Sequence, residues 1–232
     1  MNNNKLLIFA HRANNNYLPE NSLLAIKSAI KLKINAIEID VRLTKDKIPL
    51  IIHNDNLKNI INKSVRLSDV THNQIDKLTA PFNTKIPTLE EVLLVMNNSM
   101  ILNLELKNKN MAKIVYSIIK SSDKSWYEDK IIISSSHVKE LRTIKKLNPK
   151  IKTALVTKFT IFLSMIKSNN NFNIIVVNQN YLKKYFIKIA HKKNLLVYCY
   201  TINTSKQLNK ILKLGADGIF TDNYDELDFL LR

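Results

Sequence analysis

Glycine is almost missing from this chain, with two residues in 232, while lysine and arginine together number 36. The shortage runs the whole length, alongside heavy use of Lys, Asn and Ile, and reads as a compositional bias of the entire chain. That bias accounts for the formal charge of +17 and the pI of 9.8 without a dedicated partner, although such charge could attract phosphates, acidic membranes or nucleic acid. No basic-aromatic or helix-turn-helix pattern accompanies the lysines, so no nucleic-acid partner is expected. Cysteine occurs once, at Cys199, which excludes an internal disulfide framework and fits a reducing compartment. Near the start the only apolar run is Leu6–Ala10, too short for a signal-peptide core or a membrane span. A cytoplasmic protein without stable membrane insertion is expected, and no feature specifies an oligomeric state.

What is present is a rhythm of strand and helix. The segment AIEIDVRL, residues 36–43, alternates strictly: Ile37, Ile39, Val41 and Leu43 lie on one face and Glu38, Asp40 and Arg42 on the other. Lys45-Asp46-Lys47-Ile48-Pro49 reads as a tight turn, with Leu50-Ile51-Ile52 returning antiparallel. A turn centred on Asp46 and Lys47 sets residue 44 opposite 49 and Asp40 opposite His53. Upstream, Leu6–Ala10 is a strand ending at His11-Arg12, and a helix follows with Asn21 as N-cap and Asn35 closing it in place of glycine. Thr88-Leu89-Glu90-Glu91 is a capping box. Strands are expected at MILNLELK (100–107), KIIISSS (130–136), ALV (154–156), NIIVV (173–177), LLVYCYTI (195–202) and Gly218–Thr221, with helices between them, one over Phe159–Ile166. The return arm of the hairpin is tied to its predecessor by too short a link for a parallel neighbour, which leaves eight parallel strands. Eight strands alternating with helices over this length predict a (β/α)8 TIM barrel with a β-hairpin extension after the second strand. The chain reads as one domain over residues 1–232, with a small insertion at 56–85 near the active-site mouth.

In such a barrel His11, Arg12, Glu38, Asp40, Glu105 and Lys107 fall at or near the carboxyl ends of strands, where active sites lie. Three carboxylates at one mouth repel one another by about 4 kcal/mol per close pair at an effective dielectric near ~20. An all-oxygen set without paired His or Cys ligands calls for a hard divalent ion, Mg²⁺ or Ca²⁺, rather than zinc. Arg12 and Lys107 add positive charge for a substrate anion, and the Arg fork suits phosphate oxygens. His11 and His53 supply a base and an acid near neutral pH. The combination points to phosphoryl transfer.

His11-Arg12, Pro19-Glu20-Asn21-Ser22, Glu38-Ile39-Asp40-Val41, Thr44-Lys45-Asp46, His53, Pro87-Thr88-Leu89-Glu90-Glu91, Leu104-Glu105-Leu106-Lys107, Ser135-Ser136 and Gly218-Ile219-Phe220-Thr221-Asp222 resemble, in order and spacing, the glycerophosphodiester phosphodiesterase family. The resemblance implies a metal-dependent hydrolase that cleaves small-molecule glycerophosphodiesters to glycerol 3-phosphate and an alcohol. By position, Glu38, Asp40 and Glu105 look like the ligands of one divalent ion, His11 and His53 like the acid-base pair, and Arg12 and Lys107 like phosphate contacts. Tyr200 stands where the family tends to have Trp and keeps an aromatic wall at the mouth. The mechanism usually drawn has the substrate's glycerol hydroxyl attack phosphorus, giving a cyclic phosphate that water opens. Two departures bear on activity: Ala13 replaces a usual glycine, so its backbone is expected to avoid glycine-only conformations, and Asn54 replaces an Asp after the second histidine. A lyase-type phospholipase of the same barrel class and a catalytically inactive phosphodiester binder are the rival readings. His72 and His191 read as structural, His137 as a rim residue, and Tyr181, Tyr185 and Phe186 as core at helical spacing.

Overall fold

The computed structural model describes residues 6–14, 17–122, 128–158 and 172–229. Nine strands are present among them: β1 (Leu7–Ala10), β2 (Ala36–Leu43), β3 (Pro49–Ile51), β4 (Ile101–Leu106), β5 (Ile131–Ser135), β6 (Lys152–Thr157), β7 (Ile174–Asn178), β8 (Leu196–Tyr200) and β9 (Gly218–Thr221). Eight are parallel, and β1 pairs with both β2 and β9, which closes the sheet into a barrel. The ninth, β3, runs antiparallel on β2 as the return arm of a hairpin. Helices α1 (Leu23–Lys31), α4 (Leu89–Met96), α5 (Ala112–Ser121), α6 (Val138–Leu147), α7 (Lys184–Lys192), α8 (Ser205–Leu214) and α9 (Tyr224–Phe229) pack outside. The helix expected over Phe159–Ile166 lies outside the described residues. No helix of the described residues is long and apolar enough to cross a membrane.

The strands form because β-branched and leucine runs are buried on both faces, as a parallel sheet wrapped in helices requires. Outward residues such as Ile37, Ile39 and Leu104 join the helix-facing core, while Phe9, Tyr198 and Phe220 fill the barrel below the mouth. Phe9 stacks on Phe220 with centroids 4.9 Å apart, and Tyr198 lies 5.6 Å from Phe9. Gly218 is one of the two glycines kept: a Cβ there would meet the Tyr198 ring at 2.8 Å. Gly215, at φ 86°, ends α8 in the left-handed conformation. Elsewhere asparagine takes that role, holding seven of the eleven non-glycine positions with positive φ.

Residues 56–85 carry α2 (Lys58–Ile61) and α3 (His72–Thr79), gathered over a separate apolar cluster that includes Leu50, Leu57, Leu67 and Ile75. The Asp46 carboxylate accepts from the His72 backbone N at 3.1 Å and ties this segment to the hairpin turn.

Four local expectations are corrected. The hairpin register is one residue off: Leu43 faces Pro49, and the Ile52 N–H bonds to the Asp40 carbonyl, so Ile52 rather than His53 lies opposite Asp40. The cause is a three-residue loop with Lys47 at φ 66°, a bulged turn that alternation alone does not reveal. Ser22, not Asn21, caps α1, its hydroxyl accepting from the Ala25 N–H, because Asn21 is turned inward. The left-handed residue closing α1 is Lys33 rather than Asn35. Of the aromatic trio only Phe186 is core; Tyr181 and Tyr185 are 44% and 56% exposed, since α7 buries Phe186, Ile187 and Ala190 instead.

Candidate active site

The strand pleat and the parallel register bring the carboxylates together. Glu38 and Asp40 are two residues apart on β2 and both point into the barrel, and Asp40 is registered against Glu105 on β4. One oxygen from each of the three lies within 4.8 Å of the others. Glu38 and Asp40 are buried and Glu105 is half-buried.

The three differ in how they are balanced. Glu38 Oε2 accepts from the Arg12 backbone N–H at 3.0 Å, and its Oε1 is buried with no partner. Burial, then the neighbouring Asp40, push the Glu38 carboxyl up to about 8. Burial pushes Asp40 the same way but is outweighed by Lys107 at 3.2 Å and by the Asn21 amide, which donates to Oδ2 at 3.0 Å. Asp40 is thus held below the ordinary carboxylate range. Asn21 also accepts from the Asp40 N–H at 3.1 Å, which locks the strand end to the loop before α1. Lys107 bridges Asp40 and Glu105, the latter at 2.9 Å, and the two carboxylates raise its pKa against the effect of burial. A buried, unpartnered oxygen within a triad of oxygen donors fits a hard divalent cation, which would satisfy Glu38 Oε1 and offset the repulsion.

His11 follows β1 directly. Its Nδ1 lies 2.8 Å from Asp222 Oδ1, beyond the end of β9, and its Nε2 faces Glu38 Oε2 at 3.9 Å. Burial opposes its charge, but the Asp222 bond and Glu38 outweigh it and raise the pKa above 6.5. Asp222 is held in turn: the Asn203 amide donates to Oδ2 at 2.8 Å, and its Oδ1 accepts from the Asp222 N–H at 2.9 Å. Burial would raise Asp222, yet the His11 and Asn203 bonds lower it. His53 follows β3 and borders the same cavity, its Nδ1 3.0 Å from the neutral Asn54 Oδ1. Arg42 Nε donates to the His53 carbonyl at 2.6 Å and fixes that corner.

Arg12 sits at φ 56° and Ala13 at φ 54°. The alanine therefore adopts the left-handed conformation it was expected to avoid, at a cost of roughly 1–2 kcal/mol. That turn aims the Arg12 N–H at Glu38 and the guanidinium at both Glu20 oxygens, 3.0 and 2.9 Å, with Asp40 3.5 Å away. Tyr200, at the end of β8, lines the same cavity of ≈ 690 Å³. All eight residues singled out in the sequence thus border one cavity. No residue of 56–85 does, among the described residues. Sequence reasoning missed Glu20, Asn21, Asn203 and Asp222 as site residues; Glu20, Asn21 and Asp222 stand inside recognised motifs but showed no chemistry on their own.

A pH prediction follows from Glu38 and His11. Both have folded pKa values raised above the unfolded ones, so their contribution is complete at low pH and is lost as pH rises, from about 4.5 for Glu38 and about 6.5 for His11. Asp40 and Asp222, lowered from 3.8, have completed their effect below pH 5. In EDTA the melting temperature is expected to fall between pH 5 and pH 8, with a limiting slope of about 1.4 kcal/mol per pH unit for each proton lost. Scanning calorimetry checks this, and a curve that is flat or rising over that interval would contradict it.

The match to known proteins is extensive. The model of the glycerophosphoryl diester phosphodiesterase family matches residues 11–226. A glycerophosphodiester phosphodiesterase from Caldanaerobacter subterraneus subsp. tengcongensis is 30% identical over 240 residues, covering 98% of each chain. Among solved structures, the glycerophosphodiester phosphodiesterase of Thermotoga maritima superposes with a TM-score of 0.81 at 25% identity, covering 98% of both chains. An Oleispira antarctica phosphodiesterase, solved in complex with the product sn-glycerol-3-phosphate, shares the fold with a TM-score of 0.82 at 23% identity, covering 96% of this chain and 95% of that one.

Proposed function

This chain belongs to the glycerophosphoryl diester phosphodiesterase family, and on that premise we propose that it hydrolyses glycerophosphodiesters to sn-glycerol 3-phosphate and an alcohol. The observation that carries the reading is the convergence on one cavity of three carboxylates, two histidines and the cations Arg12 and Lys107. Glu38, Asp40 and Glu105 would hold one divalent ion, Mg²⁺ or Ca²⁺. When bound, the ion supplies charge that polarises the phosphoryl oxygens.

The protein's own groups perform the rest. Arg12 and Lys107 take phosphate oxygens and orient the diester. His11 is the base. Its Nδ1–H is donated to Asp222, which leaves Nε2 facing the cavity to accept the proton of the glycerol 2-hydroxyl. The freed oxygen attacks phosphorus, and His53 protonates the leaving alcohol from the hairpin. In the second half the roles reverse: His53 takes a proton from water, the water oxygen opens the cyclic phosphate, and His11 returns its proton to the 2-oxygen. Asp222 stabilises the imidazolium between these steps, as a carboxylate does for a histidine base elsewhere. The compartment is the cytoplasm, where the lone buried thiol of Cys199 stays reduced.

Coupled detection of glycerol 3-phosphate, with Mg²⁺ or Ca²⁺ supplied, tests the reading; absence of product from every diester offered would overturn it. Within that assay Asp222→Asn separates positioning from bulk structure. The amide cannot stabilise an imidazolium, so kcat is expected to fall by about 10²–10⁴-fold. The acid limb of the pH profile should move to lower pH, because His11 loses a group that raises its pKa. A merely structural role for Asp222 would leave the limb in place.

A further inference from the structure

We propose that the rim formed by β6, β7 and β8 selects the alcohol of the substrate, favouring hydroxyl-rich or anionic groups over quaternary ammonium groups. The inference rests on the phosphodiesterase reading and concerns the half of the cavity that the chemistry leaves unused.

The cavity is divided. Its carboxylates, histidines and Arg12 and Lys107 all come from β1, β2, β4 and the hairpin. The opposite rim carries Lys158, Asn178 and Tyr200. These three form one row: Asn178 is registered against Tyr200, and Thr157 against Val177 places Lys158 beside Asn178. The shared level and inward face follow from the period of two along neighbouring parallel strands.

Every member of the row offers a donor. Lys158 presents an exposed ammonium. The Asn178 Oδ1 is committed to the Asn180 N–H at 2.9 Å, which leaves its NH₂ to donate. The Tyr200 phenol adds an O–H donor at the end of β8. Ser136, one layer below at the end of β5, adds a hydroxyl. Among the described residues the cavity's carboxylates are Glu38, Asp40 and Glu105, which belong to β2 and β4, and Asp40 and Glu105 are already paired with Lys107. Recognition of a trimethylammonium group needs an aromatic cage or a counter-charge. Here one aromatic ring is paired with a lysine on the same row, so a cation is repelled and oxygen acceptors are matched. The phosphate contacts and both histidines stand on the first strands and the hairpin, so beyond the oxygen that His53 protonates the rest of the alcohol has the open half of the cavity, lined by this rim, to occupy. The insertion at 56–85, expected near the active-site mouth, contributes no residue to this lining.

The test uses His53→Ala protein with Mg²⁺, whose slowed turnover leaves time to measure binding, and titrates the glycerol, inositol, ethanolamine and choline diesters by calorimetry. The inositol and glycerol diesters are expected to bind about fivefold more tightly than the choline diester, the scale of one part-exposed charge interaction. Adding Lys158→Glu should reverse that order. An unchanged ratio would overturn the proposal, as would equal weakening of all four diesters and of glycerol 3-phosphate, which would put the row against the glycerol end. Binding of none of them would overturn it together with the phosphodiesterase reading. Turnover by the unsubstituted protein is read separately: preference retained without hydrolysis strikes the enzymatic reading and leaves this one standing.

Discussion

Replacing His11 or His53 with alanine is expected to lower kcat by about 10²–10⁴-fold, the contribution of a positioned acid or base. The double replacement should cost little more than the worse single one. Attack by the glycerol hydroxyl needs proton removal by His11 and protonation of the departing alcohol by His53 in the same displacement, so losing either group disables the step and the second loss finds little left to remove. Divalent-ion affinity should survive in His53→Ala, because His53 lies after β3 and its ring bonds to Asn54 rather than to the carboxylates. Steady-state kinetics alongside calorimetric ion titration check both halves. Fully multiplicative losses would mean that the histidines act in independent steps.

Glu38→Gln should move activity and stability in opposite directions. The substitution removes one of three oxygen ligands and the charge that attracts the cation. Outer-shell changes at metal sites already cost 10–100-fold in affinity, so losing a ligand should cost about 100-fold or more. Yet Glu38 is buried, with Oε1 unpartnered and its carboxyl raised to about 8, so in EDTA at alkaline pH its charge opposes folding. The neutral amide relieves that burden. The ion-free variant should therefore melt higher than the parent at pH 8, by roughly 2–4 °C for each kcal/mol relieved, and show no advantage at pH 5. Calorimetry in EDTA measures the melting, and Ca²⁺ titration measures affinity without recourse to turnover. A variant that is weaker on both counts would mean that Glu38 serves the fold rather than the ion.

The barrel was legible because its strands are dense runs of Ile, Val and Leu, and the helix before β4 opens on a capping box at Thr88. The cluster of Glu38, Asp40 and Glu105 was legible for the same reason: the pleat puts alternate residues on one face, whatever the details of the loops. Loop geometry was less readable. The left-handed Lys47 shifted the hairpin register by one residue, and a lysine in that role gives no sequence signal. Asn21 read as a helix cap because Asn commonly is one, and only the folded chain brings its amide to Asp40. The pairing of His11 with Asp222 spans 211 positions and depends on barrel closure between β1 and β9. No local pattern encodes it. Asparagine absorbs most of the glycine shortage by taking seven of the eleven non-glycine positive-φ positions, Ala13 bears it at a cost, and glycine remains at Gly218, where the Tyr198 ring leaves no room for a Cβ.

The most direct test of the central claim follows the reaction by ³¹P NMR, with a glycerophosphodiester, the protein, and Mg²⁺ or Ca²⁺ in one tube and EDTA in another. Conversion of the diester signal to glycerol 3-phosphate, with a transient cyclic phosphate and only where the ion is present, is the predicted result. A diester signal unchanged with either ion would contradict hydrolysis outright, and a cyclic phosphate that accumulates as the end product would identify a lyase instead.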